Sequence, residues 1–335
     1  MSRFVTIKDI ASQLRISVAT VSRALRDTHD VNRETREKVL EMARKLNYKP
    51  NVNAMGLAGG KTFNIGVILP FITNYYFSTV ITGIQEIAYA KGYNIVLFIT
   101  NDSPEREIAI TRDLAVSAFD GFLISTCAAN GEHFNGITDK GIPVVFWDRV
   151  PVASHTARVT QDDYRGAFDA TEHLIAQGYR KIAHLAGPRD IAMTERRLKG
   201  YQDALEKHSL PFLKKFVLYS GFSPECGDAD TAALLKGKDI PDALFAINDR
   251  KAIGAMLRLK QQNIRIGRDI GVVGFTNDPM SAIISPSLTT VAEPAFDIGR
   301  ISCELLLKQI TKRKFAPEEI ILPNTLIVRE STQRR

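Results

Sequence analysis

Apolar positions recur at helical spacing through the first part of the chain, whereas from Phe63 onward short apolar runs alternate with helix-length segments. Thr6 followed by Asp9 is a capping signal, and Ile7, Ile10, Ala11 and Leu14 share one face, which predicts a helix over residues 6–14. Ser17 then caps a second helix whose buried face is Val21, Ala24 and Leu25. Asn32, preceded by Val31 as a staple, caps a third with the apolar stripe Val39, Met42, Ala43 and Leu46. Two short helices joined by so short a turn fit a helix-turn-helix.

The later apolar runs lie at residues 65–70, 95–99, 121–125, 144–147, 182–185, 217–219, 244–247 and 272–275. Helical patterns at 76–91, 105–117, 165–177, 194–206 and 251–262 separate them. Strand, helix, strand in repeated succession predicts parallel sheets covered on both faces, an α/β fold. Eight such strands exceed one comfortable open sheet, so two lobes with a ligand at the carboxyl ends of both sheets satisfy the pattern better than a closed barrel.

Charge sharpens this division. Of the net +7, residues 1–61 hold +6, with 12 Lys and Arg against 6 Asp and Glu. A basic segment attracts nucleic acid or an acidic membrane, and the pattern inside it selects DNA. The second helix turns Val18, Ala19, Ser22 and Arg23 away from its buried face. Small residues allow close approach to a major groove, Arg23 can grip a guanine with two hydrogen bonds, and Val18 or Ala19 can touch a thymine methyl. Thr6, Ser17, Thr20, Ser22 and Asn32 are the phosphate candidates, together with the helix N-termini. The third helix interleaves Arg33, Arg36, Lys38, Arg44 and Lys45 with Glu34, Glu37 and Glu41, which reads mainly as a solvated, salt-laced face.

Other classes are excluded by what the sequence lacks. No stretch reaches the roughly 18 apolar residues of a membrane helix, and the segment after Met1 mixes charge with single apolar residues, unlike a signal peptide. Cys127, Cys226 and Cys303 are odd in number and far apart, fitting a reducing compartment and no zinc site, so a cytoplasmic protein is expected. GxSxG and HExxH patterns are missing and the six histidines are scattered, so no catalytic residues, metal or cofactor are expected. Gly59, Gly60, Lys61 and Thr62 imitate the end of a phosphate loop, but Met55 stands where that loop needs glycine.

The run VTIKDIASQLRISVATVSRALRDTHDVNRETREKVLEMARKLNYKPN, residues 5–51, resembles the DNA-binding domain of the lactose and galactose repressor family. That resemblance implies base contacts at Val18, Ala19 and Arg23. It has one departure: Arg15 stands where the family usually has glycine, so strain is expected if the turn needs a positive φ. Residues 50–61 match the family's hinge helix, implying DNA contacts from Asn51, Ala54 and Leu57. Leu57 wedges into a base step, or else packs on the domain below. Gly56 weakens this helix by about 1 kcal/mol relative to alanine, so its folding is expected to accompany DNA binding.

The resemblance continues through HLAGPRD (184–190), RRLKGY (196–201), FAINDRKAIGAM (245–256), VVGFTND (272–278) and SLTTVAEP (287–294). It implies a periplasmic-binding-protein-like core whose lobes are discontinuous, with crossings near Thr160, Thr290 and Leu322. The expected organisation is residues 1–49 as DNA reader, 50–61 as hinge, and 62–335 as the effector-binding and dimerisation domain. Strand ends supply Tyr75, Tyr76 and Phe77, then Trp147, Asp148 and Arg149, then Asn248 and Asp249. The family places Phe77, Arg149, Arg197, Phe222, Asn248 and Asp249 at the cleft; Tyr76, Asp162 and Thr276 complete the expected effector set. Phe77 and Phe222 could equally be core, and Asp249 a helix cap. Thr276 occupies a position where many members carry an acid. The whole predicts a homodimeric regulator, a repressor that binds a near-palindromic operator in double-stranded DNA. Its small-molecule effector is expected to be a sugar or sugar derivative, with a nucleobase or another metabolite as the alternative.

Overall fold

A computed structural model of the chain describes residues 5–25, 31–48, 61–151, 156–312 and 317–334. Its contacts divide into two units, Met1–Phe63 and Asn64–Arg335.

The first unit contains the three helices Ile7–Leu14, Val18–Leu25 and Arg33–Lys45. Ile10, Ala11, Val21, Ala24, Val39 and Ala43 are buried together, with Leu14, Leu25, Met42 and Leu46 packed around them. At the first helix start, the Thr6 N–H and hydroxyl both donate to the Asp9 carboxylate at 2.7 Å. At the second, Ser17 Oγ accepts the Thr20 N–H at 3.0 Å, and at the third Asn32 Oδ1 accepts that of Thr35 at 2.8 Å. Arg15 ends the first helix at φ 55°, ψ 39°, in the left-handed region that costs a residue with a Cβ roughly 1–2 kcal/mol. The expected strain in the turn is therefore present.

The second unit holds two six-stranded sheets. One contains β1 (Asn64–Leu69), β2 (Asn94–Ile99), β3 (Gly121–Ile124), β4 (Val144–Trp147), β5 (Ala157–Gln161) and β11 (Glu319–Leu322), in the order β11-β5-β4-β3-β1-β2, all parallel. The other contains β6 (Ile182–Ala186), β7 (Val217–Tyr219), β8 (Ala243–Ala246), β9 (Gly271–Thr276), β10 (Thr289–Ala292) and β12 (Thr325–Ile327), in the order β12-β10-β9-β8-β6-β7. Two expectations need correction. Twelve strands are present among the described residues where the sequence predicts eight, because β5, β10, β11 and β12 are short and carry polar residues such as Arg158, Thr289 and Glu319. The second sheet is also not wholly parallel, since β12 runs antiparallel to β10.

The chain passes between sheets three times, from Gln161 into the helix Asp163–Ala176, from Ala292 into the helix Ala295–Thr311, and from Leu322 to Thr325. Hydrogen bonds bind the first crossing to the third: Asp162 N–H donates to the Leu322 carbonyl, and Asn324 Nδ2 to the Asp162 carbonyl, both at 2.9 Å. In the first lobe, Ala295–Thr311 lies against Tyr75–Ala90 so closely that a Cβ on Gly299 would stand 2.0 Å from the Val80 carbonyl oxygen, and one on Gly83 2.2 Å from that of Phe296. The two helices meet backbone to backbone. Gly299→Ala should therefore cost roughly 1–3 kcal/mol and lower the thermal midpoint of the core, while Gly136→Ala, with nothing near its added carbon, should leave it unchanged.

Candidate functional site

Both sheets place their strand ends on one cleft. After β1, Asn74 caps the helix Tyr75–Ala90 by accepting the Phe77 N–H at 3.1 Å, which turns Tyr76 and Phe77 toward the cleft. After β4 come Asp148, at φ 57°, and Arg149. After β8, Asn248 caps the helix Asp249–Gln261 and donates Nδ2 to the Phe222 carbonyl at 3.2 Å. Tyr76, Phe77, Arg149, Arg197, Phe222, Asn248 and Thr276 line one open cavity of about 510 Å³. Smaller cavities of about 370 and 240 Å³ share walls with it, the first at Arg149 and Met193, the second at Asn74, Asn248 and Thr276.

Two arginines dominate this space. Arg149 pairs with Asp102 and carries its guanidinium 5.2 Å from the Phe222 ring centre and 6.0 Å from that of Phe77. Arg197 is fully buried, stacked 3.5 Å from the Phe275 ring centre, and donates to Asp163 at 2.9 Å, to Glu293 at 2.6 Å and to the Ile247 carbonyl at 2.5 Å. Three of its five N–H groups are thereby committed. Burial works against the Arg197 charge, yet Asp163 and Glu293 more than compensate and leave its pKa raised.

Of two adjacent acids, Asp162 was the one expected at the cleft, and neither it nor Asp163 lines these cavities. Asp162 caps the helix Asp163–Ala176 by accepting the Arg165 N–H at 2.9 Å and lines none of these cavities. Its neighbour Asp163 turns inward, to Arg197 and, at 3.0 Å, to Arg196. Gln161, absent from the expected set, donates Nε2 toward Asp148 at 3.1 Å, Glu293 at 3.2 Å and Asp163 at 3.4 Å, and accepts the Tyr76 hydroxyl at 3.2 Å. Glu293 lies within the SLTTVAEP run, and Asp148 follows the fourth strand, so their positions were visible though their roles were not.

Asp249 is buried and accepts the Thr290 hydroxyl at 2.5 Å and the Asp278 N–H at 2.7 Å, which ties the ends of β8, β9 and β10 together. Burial raises its pKa to about 7. Thr276 ends β9 at φ 127°, an outlying conformation for a β-branched residue, and faces the cavity. Asp278, which could have supplied the missing acid, reaches the smallest cavity, and its carboxylate accepts the Met280 N–H at 2.9 Å.

In the first unit, Val18, Ala19 and Arg23 lie exposed on one side of the helix Val18–Leu25, opposite buried Val21 and Ala24. Arg23 Nε donates to the Ala19 carbonyl at 3.4 Å. The hydroxyls of Thr6, Ser17 and Thr20 are engaged in the caps, and Ser22 is partly buried. Arg33 with Glu37 and Lys38 with Glu34 form exposed ion pairs, the salt-laced face expected of the third helix. Asn51, Ala54 and Leu57 fall outside the described residues. Among the described residues no cluster of His, Cys, Asp and Glu could hold a metal ion, and no helix is long and apolar enough to cross a membrane.

A helix-turn-helix headpiece followed by a two-lobed ligand-binding core defines a class of bacterial regulators. Residues 6–51 match the family described as bacterial regulatory proteins, lacI family, and residues 171–332 match the periplasmic binding protein-like domain. Catabolite control protein A of Priestia megaterium is 31% identical over 330 residues, covering 98% of this chain and 99% of its own. The ribose operon repressor of Halalkalibacterium halodurans is 33% identical, covering 98% and 97%. A solved lac repressor dimer bound to operator and the anti-inducer ONPF superimposes with a TM-score of 0.86 at 27% identity, over 99% of this chain and 100% of that one. The chain belongs to the lacI family and is a DNA-binding transcription regulator.

The carboxylates set a pH dependence. Burial, reinforced by Asp148 and Asp163, outweighs the attraction of Arg197 and raises Glu293 to about 7. Burial likewise raises Asp148. A carboxyl that holds its proton more tightly when folded contributes stability that is complete below its unfolded pKa and is lost as pH rises through the folded value. The thermal midpoint of the core should therefore carry a component that falls between about pH 5 and about pH 8, and Glu293→Gln should flatten it; equal slopes for both proteins would contradict this assignment.

Proposed function

We propose that the chain is a homodimeric, cytoplasmic repressor that reads a near-palindromic operator through the helix Val18–Leu25 and is switched by a small molecule in the interlobe cleft. The observation that carries this reading is the pairing, in one chain, of an exposed Val18, Ala19 and Arg23 face with an aromatic and charged cleft at the strand ends of both sheets. A half-site offers few base edges, so two copies are needed for useful specificity. A sugar or sugar derivative suits the cleft, since Phe77 and Phe222 present ring faces while Asn248, Thr276 and the carboxylates match hydroxyls.

The cleft binds without chemical turnover in this reading. Its inward charged groups hold one another, and the ligand acts by favouring one lobe arrangement over another. The expected hinge, residues 50–61, is the segment through which this reaches DNA. Effector titration against operator binding tests the coupling and gives its sign; a ligand that demonstrably occupies the cleft without altering operator affinity would sink it. Arg23→Ala should reduce discrimination at one base position by roughly 1–3 kcal/mol. A uniform loss across all sequences would instead assign Arg23 to a phosphate.

A further inference from the structure

The excursion between β9 and β10, residues 277–288, is pinned by a side chain that lies outside the cleft. Arg329 follows β12, is half-buried, and lines none of the cavities described above. Its Nη2 donates to Asn277 Oδ1 at 2.8 Å, and its Nη1 to the Ser281 hydroxyl at 3.0 Å and to the Leu288 carbonyl at 2.7 Å. One planar group thus clamps the beginning, middle and end of the excursion, which contains the short helix Met280–Ile283. The Arg329 backbone is fixed in turn, its N–H donating to the Thr289 hydroxyl at 2.8 Å.

We propose that Arg329 is a positioning residue for the effector cleft: through Asn277 it holds Thr276 and Asp278 on the cavity wall in the conformation that a ligand meets. This rests on the reading of the cleft as the effector site and adds to it a residue that touches no ligand. The clamped segment follows two successive residues at positive φ, Thr276 at 127° and Asn277 at 60°. Neither is glycine, so the turn persists only where its surroundings hold it. Two of its N–H groups are held from other elements, that of Asn277 by Thr290 Oγ1 at 3.3 Å and that of Asp278 by Asp249 at 2.7 Å. Those bonds fix peptide planes, whereas the bond from Arg329 fixes the Asn277 side chain. Thr276, one residue earlier, lines both the largest and the smallest cavity, and Asp278, one residue later, lines the smallest. A change at Asn277 therefore moves the wall on either side of it.

The test uses the full chain and reads the loop directly. Amide hydrogen exchange is followed in peptides covering 276–281 and, as a control, in the helix Ala192–Lys207. Arg329→Ala and Asn277→Ala should each speed exchange at 276–281 by about tenfold, and the double variant should be no faster than Arg329→Ala by itself, because both changes break one contact. Ribose and cellobiose, titrated by calorimetry, are the ligand probes; whichever of them wild type binds should be held about tenfold more weakly by both single variants. Asn277→Ala keeps the Arg329 bonds to Ser281 and Leu288, and so serves if Arg329→Ala does not fold. Unchanged exchange at 276–281, additive effects in the double variant, acceleration as large in the control helix, or unchanged affinity for a sugar that wild type binds would each overturn the proposal. Failure of wild type to bind either sugar would count against the sugar reading of the cleft, and the exchange comparison would still decide whether Arg329 positions the loop.

Discussion

The core is organised around one buried guanidinium. Arg197 stands where the chain crosses between the sheets, bonded to Asp163 at the start of the first crossing helix and to Glu293 in the second crossing segment. An isolated charge in that position would cost several kcal/mol, so the ion pairs are a condition for the arrangement. Gln161 completes the constraint by reaching Asp148, Asp163 and Glu293 at once, and it holds Tyr76 on its other side. The effector cleft and the interlobe crossings are therefore built from the same side chains. A ligand that touches Tyr76 or Arg197 touches these crossings.

Different forces hold the rest of the core. β1, β3, β4, β6 and β8 are almost wholly buried, as strands covered on both faces must be, and their apolar runs do the work of hydrophobic burial. Asp249 stands apart from this pattern, a buried carboxyl that joins three strand ends through Thr290 and Asp278. Such a group costs desolvation and returns definition of loop position, which matters because Thr276 sits strained beside it. The chemistry of the cleft is thus supported by polar groups, and its scaffold by apolar ones.

The headpiece works on local rules. Each of its three helices begins at a residue that satisfies its own first turn, and its small core is filled from one stripe per helix. Arg15 is the one local conflict, a residue with a Cβ in a left-handed turn. The compact turn is kept by the packing of Ile10, Ala11 and Val21 on either side of it.

Legibility followed the range of the interactions. Helix caps, apolar stripes and the buried strands depend on neighbours within a few residues, so Thr6, Ser17, Asn32 and the runs of β1, β3, β4 and β8 could be read directly from the chain, as could the departure at Arg15. Four short strands could not, because β5, β10, β11 and β12 owe their existence to partners far away, as in the pairing of Glu319 with Arg158. The lining of the cleft was legible for Phe77, Arg149, Arg197 and Asn248, which stand at strand or helix ends. The roles of Asp162 and Asp163 were not legible, since the two side chains are alike and only the phase of the following helix decides which carboxylate caps and which turns inward. Nor was the contact of Gln161 with Glu293, 132 positions apart, which exists only because two crossings run side by side. Sequence determined the elements and the chemistry available to them; tertiary structure decided which charges met, because long-range electrostatics depends on geometry that no local pattern encodes.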